Sequence, residues 1–440
     1  MRIAIAGAGK VGFELARALS SDHDVTVIDK NAEALERLGE LIDIYPLLGD
    51  IRDPMTYQAL LANQVDIYVA VTDSDEANIL STLFANDTTQ IRRRIIRLSN
   101  SYFEQSNFLA GLGDLERVFP FKLAAETVRM LLAYPGANNV KHFSNTDLKL
   151  ISIQVDNPLH EEKSVQHFEN DRLKIVGIER ARDFFLPDPD RVIKHGDLIY
   201  FLGDSDVLES LYGQLDLHMP PRIQTAVVFG ADTLGIEVAR VLIEEGVSVK
   251  IVEKDLDRCR EASDAFQEKA LVINSRYDET ILYEEEHLKD ADMVIAADRK
   301  DETNIVRALQ AIEYNIPKVV AINNERKYYS LMHQLGMVVA RGPRTSAFYA
   351  ILESIASDAM AEARHFCGGE GVVLARHISS GSPLIGREVA PCTLEGIVLI
   401  EHEGLLFEIG TYPRMQEGDR VYLILKARDE EKGEIWIRSL

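Results

Sequence analysis

The stretch IAIAGAGKVG, residues 3 to 12, decides how the rest of the chain is read. A short apolar run, Ile3 to Ala6, leads into Gly7-Ala8-Gly9, and Gly12 follows three positions later, just before a helical run from Phe13 to Leu19. A G-x-G-x-x-G turn between strand and helix is the phosphate-binding signature of a dinucleotide fold. Gly7 permits the tight turn, Gly9 lacks the Cβ that would collide with a pyrophosphate, and Gly12 lets the helix lie close to the strand. Backbone N–H groups from Ala8 to Val11 would then face an anion, helped by a helix dipole worth up to ~2 kcal/mol in a partly buried site. The competing reading is a doubly wound domain whose glycine turn holds nothing.

Downstream, DVTVID (24 to 29) ends in Asp29, placed to accept hydrogen bonds from ribose hydroxyls. Such charge-assisted bonds are worth roughly 1.5 to 3 kcal/mol. The same charge repels a 2′-phosphate, so NAD or an unmodified adenine nucleotide fits better than NADP. Lys10 has two readings, a contact to a phosphate of its own or a neighbouring subunit's ligand, or plain solvent exposure. Gly49-Asp50 ends the third strand, where an adenine edge would lie, and an ordinary turn explains the pair as well. Thr72 and Asp73 follow the fourth strand at the carboxyl end of the sheet, where ligands bind in such folds. Asp73 and Glu76 also read as a helix-capping pair. Arg97 ends the fifth strand and would either balance phosphate charge or pair with a carboxylate.

The chain is written twice. Gly7 and Gly12 recur as Gly230 and Gly235, both at an offset of 223. Val11, Leu15, Ala18 and Leu19 are answered by Leu234, Val238, Val241 and Leu242, a stripe on one helix face. DVTVID matches VSVKIVE (247 to 253), and VDIYVAVTDSDEANI (65 to 79) matches ADMVIAADRKDETNI (291 to 305), with Asn78 and Asn304 in register. Alternating strands and helices of this kind give a parallel sheet covered on both faces. Each unit is followed by strand-rich sequence: LKLISIQV, LKIVGIE and HGDLIYFLG between 148 and 203, then VVLARHI, EGIVLIE and EGDRVYLIL between 372 and 425. His195-Gly196-Asp197 and Glu417-Gly418-Asp419 mark matching turns. The predicted fold is α/β, two tandem Rossmann-like doubly wound parallel sheets, each followed by a small β-rich α+β subdomain. The predicted segments are 1–135, 136–218, 222–362 and 363–440, with HMPPR (218 to 222) as linker because Pro220-Pro221 cannot continue a helix.

The second glycine turn, GADTLG, departs from the first. Its candidate contacts are Gly230, Ala231, Asp232, Thr233, Leu234 and, at the end of the next strand, Glu253. Asp232 stands where the middle glycine should be, adding a Cβ and a charge where two phosphates would press. Either the site is empty, with Asp232 capping the following helix, or it takes a weaker or differently bound ligand.

Composition narrows the function. The net charge of −23 repels nucleic acid and anionic headgroups. The run Arg92-Arg93-Arg94 reads as a solvated strand end rather than a binding patch. No apolar run approaches the ~18 to 20 residues needed to cross a bilayer, and the chain starts directly in a strand, which predicts a soluble cytoplasmic protein. Cys259, Cys367 and Cys392 are odd in number and widely spaced, which disfavours disulfides and a structural zinc, and no metal is expected. Asp53, Asp66 and Asp75 read as surface and capping residues. No nucleophile motif or carboxylate dyad stands out, and the segment after the first nucleotide domain is too small to build a substrate cleft. A nucleotide-dependent sensor therefore fits better than an enzyme. The rival is an NAD-dependent oxidoreductase with an unrecognised substrate site.

GAGKVG with Asp29, LLGD (47 to 50), VTDSDEANI (71 to 79) and the module ending HGDLIYFLG resemble RCK, or KTN, domains, which regulate potassium conductance. Two such domains in one chain resemble the regulatory subunits of Trk-type potassium uptake systems over essentially all 440 residues. The resemblance implies binding of NAD(H), and of ATP or ADP, and assembly as a dimeric or tetrameric ring. It implies gating of an integral-membrane potassium channel or transporter subunit from the inner face of the membrane. Carried over, the ligand positions are Gly7 to Val11, Asp29, Asp50, Thr72, Asp73 and Arg97, with Lys10 near a neighbour's terminal phosphate in ATP-binding relatives.

Overall fold

The computed structural model describes residues 1–60, 65–88, 91–106, 111, 115–134, 137, 140–143, 146–181, 183–215, 222–276, 281–355 and 362–440. The linker prolines Pro220 and Pro221 lie outside the described residues.

Strand and helix alternate from the N-terminus: β1 (Arg2–Ala6), α1 (Lys10–Leu19), β2 (Asp24–Asp29), α2 (Ala32–Leu41), β3 (Tyr45–Leu48), β4 (Ile67–Ala70), α3 (Asp75–Thr88), β5 (Arg93–Arg97), α4 (Tyr102–Gln105), β6 (Leu115–Val118) and α5 (Pro120–Ala133). The six strands form one parallel sheet in the order β3-β2-β1-β4-β5-β6. After Arg2 every residue of β1 is buried, as befits a strand covered on both faces. Helix α1 turns Val11, Gly12, Leu15, Ala16 and Leu19 inward, the stripe its spacing requires. Strand order reverses between β1 and β4, so a crevice opens beyond their carboxyl ends, at Gly7 and Thr72.

The following segment is antiparallel: β7 (Val140–His142), β8 (Lys149–Gln154), β9 (Leu173–Arg180), β10 (Asp183–Phe185) and β11 (Leu198–Gly203), ordered β10-β9-β11-β8-β7, with α6 (Ser205–Leu215) behind it. The turn before β11 has Gly196 at φ +79°, and the buried Asp197 accepts from Arg180 Nε at 2.7 Å and Lys194 N at 2.8 Å.

The repeat then begins: β12 (Thr225–Phe229), α7 (Thr233–Glu244), β13 (Ser248–Glu253), α8 (Leu256–Phe266), β14 (Ala270–Asn274), α9 (Leu282–Glu285), β15 (Met293–Ala296), α10 (Asp301–Glu313), β16 (Lys318–Asn323), α11 (Tyr329–Gln334), β17 (Val338–Arg341) and α12 (Pro343–Ile355). Its sheet, β14-β13-β12-β15-β16-β17, is wound like the first. A second antiparallel sheet, β18-β19-β22-β20-β21, follows, from β18 (Glu362–Phe366), β19 (Gly371–His377), β20 (Gly396–His402), β21 (Leu405–Glu408) and β22 (Arg420–Lys426), backed by α13 (Glu430–Ser439). Asp419, behind Gly418 at φ +91°, is buried and, like Asp197, accepts from the backbone three residues earlier, Gln416 N at 2.6 Å. The tandem α/β architecture with two β-rich modules is thus present as the repeat predicts.

The chain divides into two compact units that cut across the four predicted segments. One is Met1–Glu126 with Arg341–Ile355, the other Thr127–Ala340 with Ala356–Leu440. The boundary falls inside α5, and α12, made after the second sheet, belongs to the first unit and packs on α1. Helix ends leave carbonyls that need donors, and a cation there complements the dipole. In the first unit Arg93, opening β5, donates to the Ser354 carbonyl in the last turn of α12 and pairs with Glu116 at 2.7 Å. In the second unit Lys318, opening β16, donates to the carbonyls of Leu131, Tyr134 and Ala137, at and beyond the end of α5, at 3.0, 3.1 and 3.3 Å. Within the Arg92–Arg94 run, Arg92 is exposed as a solvated strand end requires, but the two residues after it are engaged. Arg93 holds a helix terminus and Arg94 is buried, because β5 is an interior strand whose start is covered.

Candidate nucleotide site

The first glycine turn is open where a diphosphate would lie. Gly7 sits at φ +114°, a conformation natural only to glycine, and a Cβ there would reach within 3.0 Å of Thr72 Cγ2. A Cβ on Gly12 would come within 1.8 Å of the Gly7 carbonyl oxygen, so helix and turn are packed backbone to backbone. Gly9 differs, for a Cβ there would meet nothing within 4 Å. Gly9 is the N-cap of α1, and no side chain caps the helix. The first-turn amides therefore point at space that no side chain of the turn fills, with Lys10 exposed beside them.

Asp29 closes one side of the turn. Its Oδ2 accepts the Ala8 N–H at 2.6 Å and its Oδ1 the Asn31 N–H at 2.9 Å. A carboxylate offers about four lone-pair sites, so Asp29 holds the turn and keeps capacity for a ribose hydroxyl. On the other side, Thr72 is locked by Asn78: Thr72 N and Oγ1 donate to Asn78 Oδ1 at 2.9 and 2.6 Å. The Asn78 amide donates in turn to the carbonyls of Thr72 and Arg97, at 3.0 and 2.9 Å. Asn78 is wholly buried, and Asn304 makes the same clamp with Asp298 and Ile322 in the repeat. Its recurrence at matching positions was the signal for this clamp, although periodicity alone does not say what it holds.

At four predicted positions the contacts choose between the readings or replace them. Arg97 is buried, and its guanidinium donates to the Thr72 carbonyl at 2.8 Å and to Asp73 Oδ1 at 2.6 Å. The carboxylate-pairing reading is the one the geometry displays. Asp73, whose side chain is 96% exposed, does not cap α3. Ser74 does, with Oγ accepting from Ala77 N at 3.1 Å and donating to Glu76 Oε2 at 2.8 Å. The helix starts one residue later than an Asp73 cap requires, and a serine hydroxyl is as good a cap as a carboxylate. Asp50 is held by Arg52 through Nε and a terminal nitrogen at 3.1 and 2.7 Å, which keeps its carboxyl well below the usual range. Asp75, read as a capping residue, fastens the loop after β5 through Ser99 N and Asn100 N at 2.7 and 2.9 Å.

The second turn has the same skeleton and a different content. Gly230 is at φ +108°, and a Cβ on Gly235 would approach the Gly230 oxygen within 1.9 Å. The buried Glu253 accepts from Ala231 N at 2.8 Å, as Asp29 does from Ala8, and also from Lys254 N and Asp255 N. Asp232 fills the place of Gly9. Its Oδ1 caps α7 through Leu234 N at 3.0 Å and Gly235 N at 3.4 Å, and its Oδ2 takes Arg299 Nε at 2.7 Å. The anion position of the second half is thus taken by a carboxylate of the chain itself, with Thr233 exposed at its rim.

Comparison with known proteins agrees with this geometry. The family model for the TrkA-N domain matches residues 3–113 and 226–341, and that for the TrkA-C domain matches 150–216. Over 394 residues the chain is 28% identical to the Trk system potassium uptake protein TrkA homolog of Archaeoglobus fulgidus, covering 88% of each. The crystal structure of the GsuK RCK domain matches 100% of this chain and 95% of that one, with a TM-score of 0.60 at 18% identity. The GsuK channel bound to NAD matches 100% of this chain and 79% of that one, with a TM-score of 0.60 at 17% identity. With both families' domains in their expected order and the strand–turn–helix geometry behind them, the chain belongs to the TrkA family.

Proposed function

We propose that this protein is a cytoplasmic regulatory subunit that senses NAD(H), or ATP and ADP, and gates a membrane potassium channel or transporter. The observation that carries this reading is the open, uncapped turn at Gly9, set against a second turn sealed by Asp232 and Arg299. In the first turn the amides of Lys10, Val11 and Gly12 would receive the phosphates, and Asp29 would hold the adenosine ribose. Asp50, Thr72 and Asp73 would form the rim, with Arg97 positioning Asp73 rather than meeting the phosphates. Lys10 would lie nearest a terminal phosphate. The relative's name points to potassium uptake, and the structurally similar GsuK channel is known bound to NAD.

Binding can switch such a protein only through different affinities for two shapes. The proposed switching unit is an oligomeric ring beneath its membrane partner, for which the groove of about 400 Å³ lined by Glu76, Ile79, Leu80, Tyr102 and Phe103 offers apolar surface. No described helix is long and apolar enough to cross a membrane, in keeping with a peripheral position through a partner. The test is small-angle scattering of the full chain with and without saturating NADH and ATP, beside a hydride-transfer screen against common metabolites. Distinct scattering profiles without turnover are expected. Identical profiles would defeat the switch, and steady NADH consumption would defeat the regulatory reading.

A further inference from the structure

We infer that the second unit contains a binding site for a borderline-soft divalent metal ion, of the zinc type, built from Glu179, His333 and Cys367. The three residues come from β9, from α11 and from the turn directly after β18, separated by 154 and 188 positions in sequence, yet their ligand atoms all lie within 4.8 Å of one another. The convergence is on one atom. Glu179 Oε2 lies 3.2 Å from His333 Nε2 and 3.2 Å from Cys367 Sγ, and it accepts the Tyr200 hydroxyl at 3.1 Å.

Tetrahedral zinc, with bonds of about 2.0 to 2.1 Å to nitrogen and oxygen and about 2.3 Å to sulfur, sets ligand-to-ligand edges of about 3.3 to 3.5 Å. The two 3.2 Å separations are within a few tenths of an ångström of those edges, and the third pair, His333 Nε2 and Cys367 Sγ, lies within 4.8 Å, so a metal needs the loss of the donor hydrogens and an adjustment of that third edge. A donor set of nitrogen, sulfur and one carboxylate oxygen selects zinc-like ions over calcium or magnesium, which take oxygen ligands. The fourth position falls to the Tyr200 hydroxyl or to water.

The surroundings hold these atoms in place. Cys367, 3% exposed, has φ +51° and is followed by Gly368 at +60° and Gly369 at +95°. A Cβ on Gly368 would approach His333 Cδ2 within 2.9 Å, so the turn that presents the thiol is pressed against the imidazole. The Glu179 and His333 side chains are 15% and 22% exposed, which leaves an entry path while keeping most solvent out. Ligands spaced so far apart escape any search for short Cys and His motifs, and for that reason the sequence predicts no metal.

The site is tested on the full-length protein, stripped with chelator and titrated with Co2+ and then Zn2+ alone. One equivalent of Co2+ should give tetrahedral visible bands and a thiolate-to-cobalt charge-transfer band, and Zn2+ should displace it and raise the melting temperature. Loss of a supporting hydrogen bond typically weakens a metal site about 10- to 100-fold, so Cys367→Ser and His333→Gln should each weaken binding by at least about tenfold, with the charge-transfer band gone in the first. The double substitution Cys259→Ser with Cys392→Ser should leave it intact. A wild-type protein that takes up no cobalt with a thiolate band would overturn the site, whatever the variants do. So would a band that survives Cys367→Ser.

Discussion

The two glycine turns share a backbone and differ at three positions, and one of these, Gly9 against Asp232, separates an open anion position from a closed one. Both turns place a left-handed glycine first and press the last glycine onto the first one's carbonyl, with a carboxylate from the second strand on the turn amide. In the first half the middle position is Gly9, with empty space beside it. In the second it is Asp232, which caps its helix and binds Arg299. A fold duplicated in this way keeps its turn for structural reasons whether or not the turn still binds anything.

The sharpest way to break the contrast is to write the second half into the first. Gly9→Asp places a carboxylate where phosphates would sit, and like charges about 4 Å apart cost roughly 4 kcal/mol at an intermediate dielectric. NADH affinity should fall about a thousandfold by calorimetry. The melting temperature should hold or rise slightly, because aspartate is a better N-cap than glycine. Unchanged affinity would mean that the dinucleotide avoids this turn.

A second substitution asks whether the skeletons are really alike. Gly12→Ala and Gly235→Ala each force a Cβ into a carbonyl oxygen, and each should cost stability at the upper end of the ~1 to 3 kcal/mol typical of overpacking. Denaturant melts with a large loss for one and none for the other would show that the turns are packed differently.

Asp29→Ala should weaken adenosine-ribose binding by roughly 1.5 to 3 kcal/mol, with Lys10→Ala selectively reducing ATP affinity. Equal losses of ATP and NADH in the lysine variant would place its contact away from the terminal phosphate. In the second half, Asp232→Ala should cost only about 1 kcal/mol of stability, the value of a helix cap.

The smallest effect concerns the cations that open the fifth strands. Burial lowers the Lys318 amine to about 7, whereas arginine side chains in general keep their charge in proteins. An amine whose folded pKa is lower than its unfolded value carries a desolvation cost. That cost is fully present below about pH 7 and is relieved as pH rises towards its unfolded value. Lys318→Met should therefore raise the melting temperature relative to wild type more at pH 6 than at pH 9. Arg93→Met should show no such trend over that range, and parallel trends would remove Lys318 as the source.

Much of this was legible in the chain because the repeat multiplies weak signals. Gly7, Gly12, Val11 and Leu15 had counterparts 223 residues later, and that recurrence read both sheets and their order. The place of α12 in the first unit was not legible: an apolar stripe says that α12 buries a face but not which helix or strand receives it. Arg97 and Asp50 were read as ligand positions because their places along the strands were right, while the partners that occupy them, Asp73 and Arg52, are matters of side-chain geometry. The Ser74 cap was missed because serine and aspartate compete on equal terms at a helix start. Glu179, His333 and Cys367 left no trace in spacing, since three separate elements bring them together.

The open first turn should take a dinucleotide that the second, closed by its own aspartate, cannot. Calorimetric titration of the full-length protein with NADH reads this directly through stoichiometry. One dinucleotide per chain is expected, abolished by Gly9→Asp and retained by Asp232→Ala. Two equivalents per chain, or binding that survives Gly9→Asp and disappears with Asp232→Ala, would contradict it.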